Sequence, residues 1–524
     1  MEGLNDISKL SIKDMIKSRV ERYPDRTLVK SDGIEYTWKD IDRGSSVIAH
    51  ELHNLGVGWG SHVALCGSNS INWILSFFAI QKLGAVTVLL NPQLTTSEIS
   101  NLSQMCDITH FCFGITPEKN RELFTEQLLH SEGSKIKSVF DVGNSIDFLK
   151  KTPEDYPDIN VNSDDICLMM FTSGSTGIPK GVLLSAFYLY NSSDYCVKIL
   201  NMTEDDKLCA ILPLFHIFGL TSVLLSCMIS GASLILPRSS KSDELMSVIE
   251  GEKCTILHSV PTVLLRLVNA PGFSTEHVSS IRASYLSGAP VSEAQLRMLM
   301  EMLPNNHFMR RYGLTEMTPV SSTSLCDDIT HILSTVGKPL EGTDVRIKDI
   351  ATGTFCPTGV QGEIMVKGRN LMCCYYKLHV DKQPFDEDGY LHTGDLGFLD
   401  EDGYLHFSGR AKEVIIRGGE NIMPNEVAAA ISMHDNIVDV KVIGVPDKIY
   451  GEIVTAALVL KAGTFFDEEE MRNFLSTKLA RYKIPSYFFI YDKLPALANG
   501  KVDAVSLKKE LIKKIISSDY NEKA

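Results

Sequence analysis

The chain has 524 residues, of which 44% are hydrophobic and 22% are charged, and its formal net charge is −14. A chain of this length exceeds what one hydrophobic core serves, so we expect two or more domains. The acidic balance argues against a nucleic-acid-binding protein and against attraction to an anionic membrane. The N-terminal segment lacks the apolar run of a signal peptide, and the 12 cysteines lack zinc-type spacing. We therefore expect a cytoplasmic protein with free thiols.

The N-terminal third alternates predicted helices with apolar strands. Helical spacing covers Ser11–Arg22, Ile41–Leu55 and Trp73–Leu83, and Ala85–Leu90 is an apolar run without alternation. Such a run is typical of a strand that is buried on both faces. The alternation continues to about Ile166, which favours an α/β fold of layered, largely parallel sheets with helices outside.

A glycine-rich segment, Phe171–Gly181, follows between two apolar runs that predict strands. Its glycines let successive N–H groups converge on an anion, and its hydroxyls and lysine add further donors, which favours a polyphosphate ligand. The candidate binding residues are Thr172, Ser173, Gly174, Ser175, Thr176, Gly177 and Lys180. The segment is not a Walker A loop, because no Ser or Thr follows the lysine. A glycine-rich hairpin turn with an ordinary surface lysine is the alternative.

One long stretch, Leu208–Pro237, contains no Asp, Glu, Lys or Arg. Its length is sufficient to span a bilayer. Prolines, glycines and polar residues interrupt it, however, and it divides into a strand, a helix and a second strand. We therefore predict a buried βαβ unit and no transmembrane segment.

The sequence changes character near Ser334, where short alternating strands with Gly/Asp turns predict a small β-barrel or sheet. After Gly409-Arg410 a mixed region of helices and strands remains. We place a domain boundary there, with residues 1–410 as a large N-terminal domain of layered αβ subdomains and residues 411–524 as a smaller, mobile α+β domain.

Several further motifs follow in an order that resembles the adenylate-forming superfamily of acyl- and aryl-CoA ligases, peptide-synthetase adenylation domains and luciferases. The quoted segments are Pro213–Gly219, Leu286–Pro290, Tyr312–Glu316, Tyr390–Asp395, Gly409–Ile422 and Asn499–Lys501. With the glycine-rich segment as phosphate loop, the resemblance covers nearly the whole chain. It implies ATP, Mg²⁺ and coenzyme A as ligands and a small-molecule carboxylic acid as substrate.

The resemblance also implies roles for particular residues around the nucleotide. Thr315 would contact the α-phosphate, and Glu316 would coordinate Mg²⁺. A single carboxylate suits Mg²⁺, because this hard cation usually takes few protein ligands. Asp395 would accept from both ribose hydroxyls, and Arg410 would reinforce that contact. The segment Leu286–Pro290, with Gly288, Ala289 and Pro290, would lie behind the adenine, and Tyr312 and Gly313 are the remaining nucleotide positions that these motifs imply. For Asp395 and Arg410 a structural ion pair is the alternative.

Other matched positions concern the movement between domains, the binding of coenzyme A and the binding of the acid. Lys412 takes the hinge position, and Gly418-Gly419 would line a pantetheine tunnel, with a plain β-hairpin as the alternative. Lys501 matches the catalytic lysine, which would enter the site for adenylation and leave it for thioester formation, although its neighbours Val502-Asp503 depart from the usual pattern. His216 would lie beside the substrate carboxylate.

Three positions are expected to line the acyl pocket: Phe218, Ser287 and Met317. This mostly apolar set favours a fatty acid of medium or long chain, or an aromatic acid. A family histidine after the phosphate loop is replaced here by Ala186.

The sequence therefore predicts a carboxylate–CoA ligase that forms an acyl-adenylate. Two alternatives stay open: an adenylation enzyme that loads a carrier-protein thiol, and a nucleotide-binding relative that has lost catalysis. Neither the acid nor the oligomeric state follows from the sequence.

Overall fold

The computed structural model describes residues 10–114, 121–141, 146–172, 179–289, 291, 293–496 and 502–521. Within these ranges the strands form five sheets, and helices pack around them. The predicted mixed α/β class is confirmed.

The largest sheet builds the centre of the N-terminal region. Its strands in spatial order are Cys374–Tyr375, Lys180–Ser185, Ile166–Thr172, Val86–Leu90, His62–Cys66, His110–Phe113 and Ser138–Asp141. The last five strands run parallel to one another. Every residue of Val86–Leu90 is buried, as its apolar pattern predicted.

Two further sheets lie in the same region. One has the order Ile34–Thr37, Thr27–Ser31, Ser233–Leu236 and Lys207–Cys209, and the other Ala283–Leu286, His307–Leu314, Met317–Ser322 and Lys338–Pro339. The strands at either end of the uncharged stretch pair in parallel, and helical residues connect them. That stretch is therefore a buried βαβ unit, and none of the helices that the structure describes has the length and hydropathy to cross a membrane.

Two sheets follow toward the C-terminus. The predicted small barrel or sheet is an antiparallel sheet of Thr343–Lys348, Gly362–Gly368, Leu391–Leu399 and Leu405–Arg410. The last sheet has the order Glu420–Ile422, Ile415–Arg417, Gly451–Leu460 and Ile437–Asp447, with Tyr487–Tyr491 added beside the third strand.

The helices begin close to their predicted positions. The α-helices span Ile12–Arg22, Trp38–Asn54, Ile71–Lys82, Thr96–Met105, Arg121–His130, Ala186–Ile199, Ile217–Gly219, Ser226–Ser230, Ser242–Glu252, Pro261–Val268, Glu293–Met302, Ile329–Ser334, Pro424–Ser432, Glu468–Ser476 and Ala504–Asn521, and Leu220–Leu225 is a π-helix. Trp38–Asn54 begins three residues before the predicted Ile41, because Thr37 and Asp40 form a capping box that satisfies the first free N–H groups.

The C-terminal region has apolar clusters of its own, built from residues 415–515 alone. Such separate cores are what the predicted boundary at residue 410 requires, and the boundary itself stays a prediction. The two regions touch where the Gln295 side-chain amide donates to the Val438 carbonyl at 3.0 Å. The described cysteines are all free, as predicted.

Gly337 permits a close approach between strands, and Gly337→Ala is expected to destabilise the fold by about 3 kcal/mol or more. Gly337 has a φ of +84°, and a Cβ there would lie 1.8 Å from the Ser322 carbonyl carbon. The control is Gly353→Ala, whose φ is +72° with no atom within 4 Å of the added Cβ. This control carries only the backbone strain, about 1–2 kcal/mol. Denaturant unfolding measures both, and equal losses would contradict the role of the close contact.

Candidate active site

The phosphate-loop candidate connects two antiparallel strands of the large sheet. Thr172 ends one strand, Lys180 begins the next, and the two residues lie opposite each other in the register. The predicted residues Ser173, Gly174, Ser175, Thr176 and Gly177 lie outside the described residues. The structure therefore places the two ends of the segment next to each other, and both side chains are half-buried.

Thr315 and Glu316 form the tight turn between two paired strands, since Leu314 pairs directly with Met317. The Thr315 carbonyl accepts a hydrogen bond from the Tyr188 hydroxyl at 2.9 Å. The Glu316 carbonyl accepts from the Met372 N–H at 2.7 Å. These contacts hold the turn from both sides, so the orientation of its two side chains is set by neighbouring segments.

Tyr375 connects this turn with the phosphate-loop candidate. Its hydroxyl donates to the Glu316 carboxylate at 2.6 Å, and the Lys180 ammonium lies 4.8 Å from the centre of its ring. Burial and the negative charge of Glu316 raise the pKa of the Tyr375 hydroxyl, so it stays a donor. The sequence analysis did not identify this residue, because it lies 59 positions from Glu316 and belongs to no motif.

The Glu316 carboxylate is suited to a metal cation. The residue is 6% exposed, and no ion pair among the described residues includes it. A buried carboxylate without a cationic partner is unfavourable, and binding of a cation removes that penalty. No cluster of three or more metal-ligating side chains occurs in the part of the chain that the structure describes. Mg²⁺ fits this arrangement, because it usually keeps one or two carboxylates and completes its shell with water and phosphate oxygens.

Asp395 lies at the predicted ribose position, 5% exposed. One of its oxygens accepts from the Tyr312 hydroxyl at 2.7 Å, and the other lies 3.4 Å from the Arg410 Nε. Asp395 and Arg410 are direct neighbours on adjacent strands. Burial raises the pKa of Asp395, and the opposing effects of Arg410 and Tyr312 do not cancel it. The structure therefore contains the Asp395–Arg410 ion pair that was the alternative interpretation, and the same two side chains are the ones expected to contact the ribose.

The adenine candidate segment runs beside the strand that carries Tyr312. Leu286 pairs with Arg310, and the Ser287 hydroxyl donates to the Arg311 carbonyl at 3.2 Å. Gly288 is exposed with a φ of +86°, Ala289 is half-buried, and Pro290 lies outside the described residues. Gly313 is also exposed, so a flat ligand has access to backbone at both positions.

The acyl-pocket candidates do not share one environment. His216 and Phe218 are half-buried, and His216 is the N-cap of the short helical turn Ile217–Gly219 that contains Phe218. The ring centres of Phe215 and His216 lie 4.9 Å apart. Met317 is completely buried, and its methyl group packs toward Gly368. Phe218 also has a neighbour that the sequence did not predict, because the Arg311 guanidinium carbon lies 4.0 Å from the centre of its ring.

The C-terminal candidates are described only in part. Gly418 and Gly419, with φ of +59° and +90°, form the two-residue turn of the hairpin that joins Ile415–Arg417 to Glu420–Ile422. This turn type requires positive φ at both positions, so the hairpin alone accounts for the glycines, and their role toward coenzyme A stays a prediction. Lys412 lies in a short 3₁₀ turn. Lys501 lies outside the described residues.

Comparisons with known families cover most of the chain. A model described as "AMP-binding enzyme" matches residues 16–376, and one described as "AMP-binding enzyme C-terminal domain" matches residues 426–501. A putative acyl-CoA synthetase of Bacillus subtilis, YngI, is 31% identical over 96% of this chain and 97% of the relative. A 4-coumarate-CoA ligase of Narcissus pseudonarcissus is 31% identical over 91% of this chain and 88% of the relative.

Solved structures give the same result for the fold. ATP-bound MatB from Rhodopseudomonas palustris is similar with a TM-score of 0.87, at 27% identity, over 96% of this chain and 99% of that protein. The o-succinylbenzoate CoA synthetase of Bacillus subtilis, in complex with its acyl-adenylate intermediate, is similar with a TM-score of 0.81 at 28% identity, over 95% and 98% of the two chains.

Tyr375→Phe is expected to weaken Mg²⁺-dependent ATP binding about tenfold, because Glu316 loses its orienting donor while the ring under Lys180 remains. Calorimetric titration of ATP at several Mg²⁺ concentrations measures this. Tyr376→Phe is the matched control, since that neighbouring hydroxyl donates to Asp107 at 2.6 Å instead. An equal loss of affinity in both variants would refute a specific role of Tyr375.

Asp395→Asn is expected to weaken ATP binding about ten- to a hundredfold, because a carboxylate accepts hydroxyl donors more strongly than an amide. The same change is expected to stabilise the protein at neutral pH. The folded pKa of Asp395 lies above its unfolded value, so its ionisation lowers stability as pH rises through that window. Unfolding free energies at acidic and neutral pH, with and without ATP, measure both effects.

Asp400→Asn provides a control of opposite sign. The pKa of Asp400 is lowered, because hydrogen bonds from His406 and from the Tyr404 backbone outweigh the effect of its partial burial. Its ionisation therefore adds stability above its unfolded pKa and is lost as pH falls through the folded value. Asp400→Asn should lower stability at neutral pH and leave ATP affinity unchanged. If Asp395→Asn also lowered stability at neutral pH, the result would contradict the argument that burial makes the ionised Asp395 unfavourable.

Proposed function

Because this chain belongs to the AMP-binding enzyme family, we propose that it is an ATP-dependent carboxylate–CoA ligase. It forms an acyl-adenylate and pyrophosphate from ATP and a carboxylic acid, and then acyl-CoA and AMP. The relatives that match nearly its whole length carry the names of acyl-CoA synthetases and ligases, which supports coenzyme A as the acceptor over a carrier-protein thiol.

The observation that carries the proposal is the buried Glu316 carboxylate, which has no cationic partner among the described residues. It lies beside Thr315 and, through the Tyr375 ring, close to Lys180 at the mouth of the phosphate-loop candidate. A cation held by Glu316 and phosphates held by Thr172, Lys180 and Thr315 would therefore meet at one place. Bound Mg²⁺ supplies positive charge that offsets the charge developing on the phosphate oxygens.

The chemistry needs this concentration of positive charge and donors. A carboxylate oxygen of the acid attacks the α-phosphorus, and the bond to the pyrophosphate oxygen breaks with its electron pair. The thiolate of coenzyme A then attacks the acyl carbon, and AMP leaves. The chain stabilises the first step through preorganised donors near the phosphates, which is typically the largest contribution in such reactions. Asp395 and Tyr312 hold the sugar, so the α-phosphate is presented to Thr315.

The finer proposal concerns the acid. The half-buried ring of Phe218, which packs against the main apolar cluster, supports an acyl group with a fatty or aromatic body. His216 is placed two residues before Phe218, as the N-cap of the helical turn that contains it, which suits a position beside the reacting carboxylate.

A pyrophosphate-exchange assay over aliphatic and aromatic acids, followed by addition of coenzyme A, tests the proposal. We expect exchange that depends on the acid and then thioester and AMP. ATP binding without exchange for any acid would instead identify a relative without catalysis. Exchange followed by transfer only to a carrier protein would identify the carrier-loading alternative.

Lys501→Ala is expected to lower acid-dependent pyrophosphate exchange about a hundredfold or more, because a preorganised cation is lost from the transition state. Thioester formation from a supplied acyl-adenylate should be much less affected, because the lysine is proposed to leave the site for that step. Lys493→Ala is the control, an exposed lysine of the same domain. Equal losses in the two half-reactions would contradict the proposed role of Lys501.

A further inference from the structure

Asn69 lies at the carboxyl end of a central strand of the largest sheet. It follows the strand His62–Cys66, precedes the helix Ile71–Lys82, and is half-buried. In open α/β sheets, ligands usually bind beyond the edge that the carboxyl ends of the parallel strands form. Asn69 belongs to none of the motifs that make up the candidate site, and its side chain reaches a segment 141 to 145 positions away.

The side-chain amide of Asn69 makes three hydrogen bonds to the backbone of that segment. Its Nδ2 donates to the Ala210 carbonyl at 3.1 Å and to the Leu212 carbonyl at 2.8 Å. Its Oδ1 accepts from the Leu214 N–H at 2.8 Å. An amide side chain can make four hydrogen bonds, so three of them connect Asn69 to this one segment. The amide therefore holds three alternate residues, as a neighbouring strand would.

The segment that Asn69 holds has little regular structure of its own. The described residues 210–216 belong to no strand or helix, and Pro213 has no N–H to donate. The side chains of Leu212 and Leu214 are buried, and buried backbone groups need hydrogen-bond partners. Asn69 supplies a donor to the carbonyl of the first leucine and an acceptor to the N–H of the second.

The same segment folds back closely on the turn that carries His216. The His216 N–H donates to the Pro213 carbonyl at 3.1 Å, and the His216 carbonyl accepts from the Leu220 N–H at 2.8 Å. A Cβ at Gly219 would lie 2.1 Å from the Pro213 carbonyl oxygen. Because the backbone on both sides of His216 is closely packed, a displacement of residues 212–214 would shift the imidazole with it.

These contacts have two different consequences. Loss of the three hydrogen bonds would lower stability, because backbone groups would lose their partners. It would also displace His216, the residue proposed to lie beside the reacting carboxylate, and a displacement of about 1 Å can lower a rate about a hundredfold. The second consequence concerns the acid and not ATP, so kinetics can separate it from the first.

We propose that Asn69 is a positioning residue for the acid, which fixes His216 beside the reacting carboxylate by holding residues 210–214. Asn69 acts through His216 and does not itself contact the acid in this role. The inference rests on the proposed ligase function and deepens it, because it assigns part of the recognition of the acid to a strand end in a different sheet. A substitution of Asn69 should therefore affect the acid only while His216 is present.

A double-mutant cycle in the full-length enzyme tests this coupling. The readout is pyrophosphate exchange at saturating ATP, with the acid that gives the highest exchange in the panel of aliphatic and aromatic acids. Asn69→Ala should lower kcat/KM for this acid about tenfold to a hundredfold and leave the KM for ATP unchanged. In the His216→Ala background the same substitution should lower it less than about threefold, because no imidazole remains to be placed. Equal losses in both backgrounds would show a merely structural role and overturn the Asn69 proposal alone.

Asn69→Asp provides a second version of the cycle if Asn69→Ala does not fold. It keeps the size of the side chain and the acceptor for the Leu214 N–H, but the ionised carboxylate donates to neither carbonyl. Its loss of kcat/KM for the acid should again depend on His216. A loss of the same size in the His216→Ala background would overturn the proposal.

Asn91→Ala is the matched control, since Asn91 follows the neighbouring parallel strand Val86–Leu90. Its Oδ1 accepts a local hydrogen bond from the Gln93 N–H at 3.0 Å. This variant should leave the kinetic parameters for the acid and for ATP unchanged, and a loss for the acid as large as in Asn69→Ala would contradict a specific role of Asn69. Absence of exchange in the wild type with every acid would instead overturn the ligase function, and this role with it.

Discussion

The hydrogen bond from the Tyr375 hydroxyl to the Glu316 carboxylate holds the candidate site together. Tyr375 belongs to a short edge strand of the largest sheet, whereas Glu316 lies in a turn of a different sheet. The same ring lies beneath Lys180, at one end of the phosphate-loop candidate. One side chain therefore fixes the distance between the proposed phosphate and metal contacts, and it does so with a donor that its buried position prevents from ionising.

Glu316 is a buried carboxylate that none of the ion pairs among the described residues includes. Such groups lower stability in the absence of a ligand, and ligands of opposite charge remove the penalty on binding. A metal–nucleotide complex would compensate the charge of Glu316 in this way. Asp395 follows the same logic, since its burial raises its pKa and nucleotide hydroxyls offer it donors.

The matches to AMP-binding enzymes confirm the resemblance to the adenylate-forming superfamily, and the solved neighbours confirm the predicted fold class. At two positions the structure provides a physical explanation other than the ligand contact that the sequence led us to expect. Gly418-Gly419 are required by the backbone of a two-residue hairpin turn, independently of any coenzyme A contact. Met317, expected at the acyl pocket, is completely buried against Gly368.

The sequence by itself determined the elements and the motifs, because apolar periodicity and capping residues act locally. The helices near Ser11 and Trp73, the fully buried strand near Val86, and the positions of Glu316 and Asp395 all followed from short stretches of chain. Only the tertiary structure decided which distant side chains meet. Tyr375 reaches Glu316 across 59 residues, and Arg311 lies between Phe218 and Tyr285 from three separate segments. Such contacts depend on sheet order and packing, which no local pattern encodes.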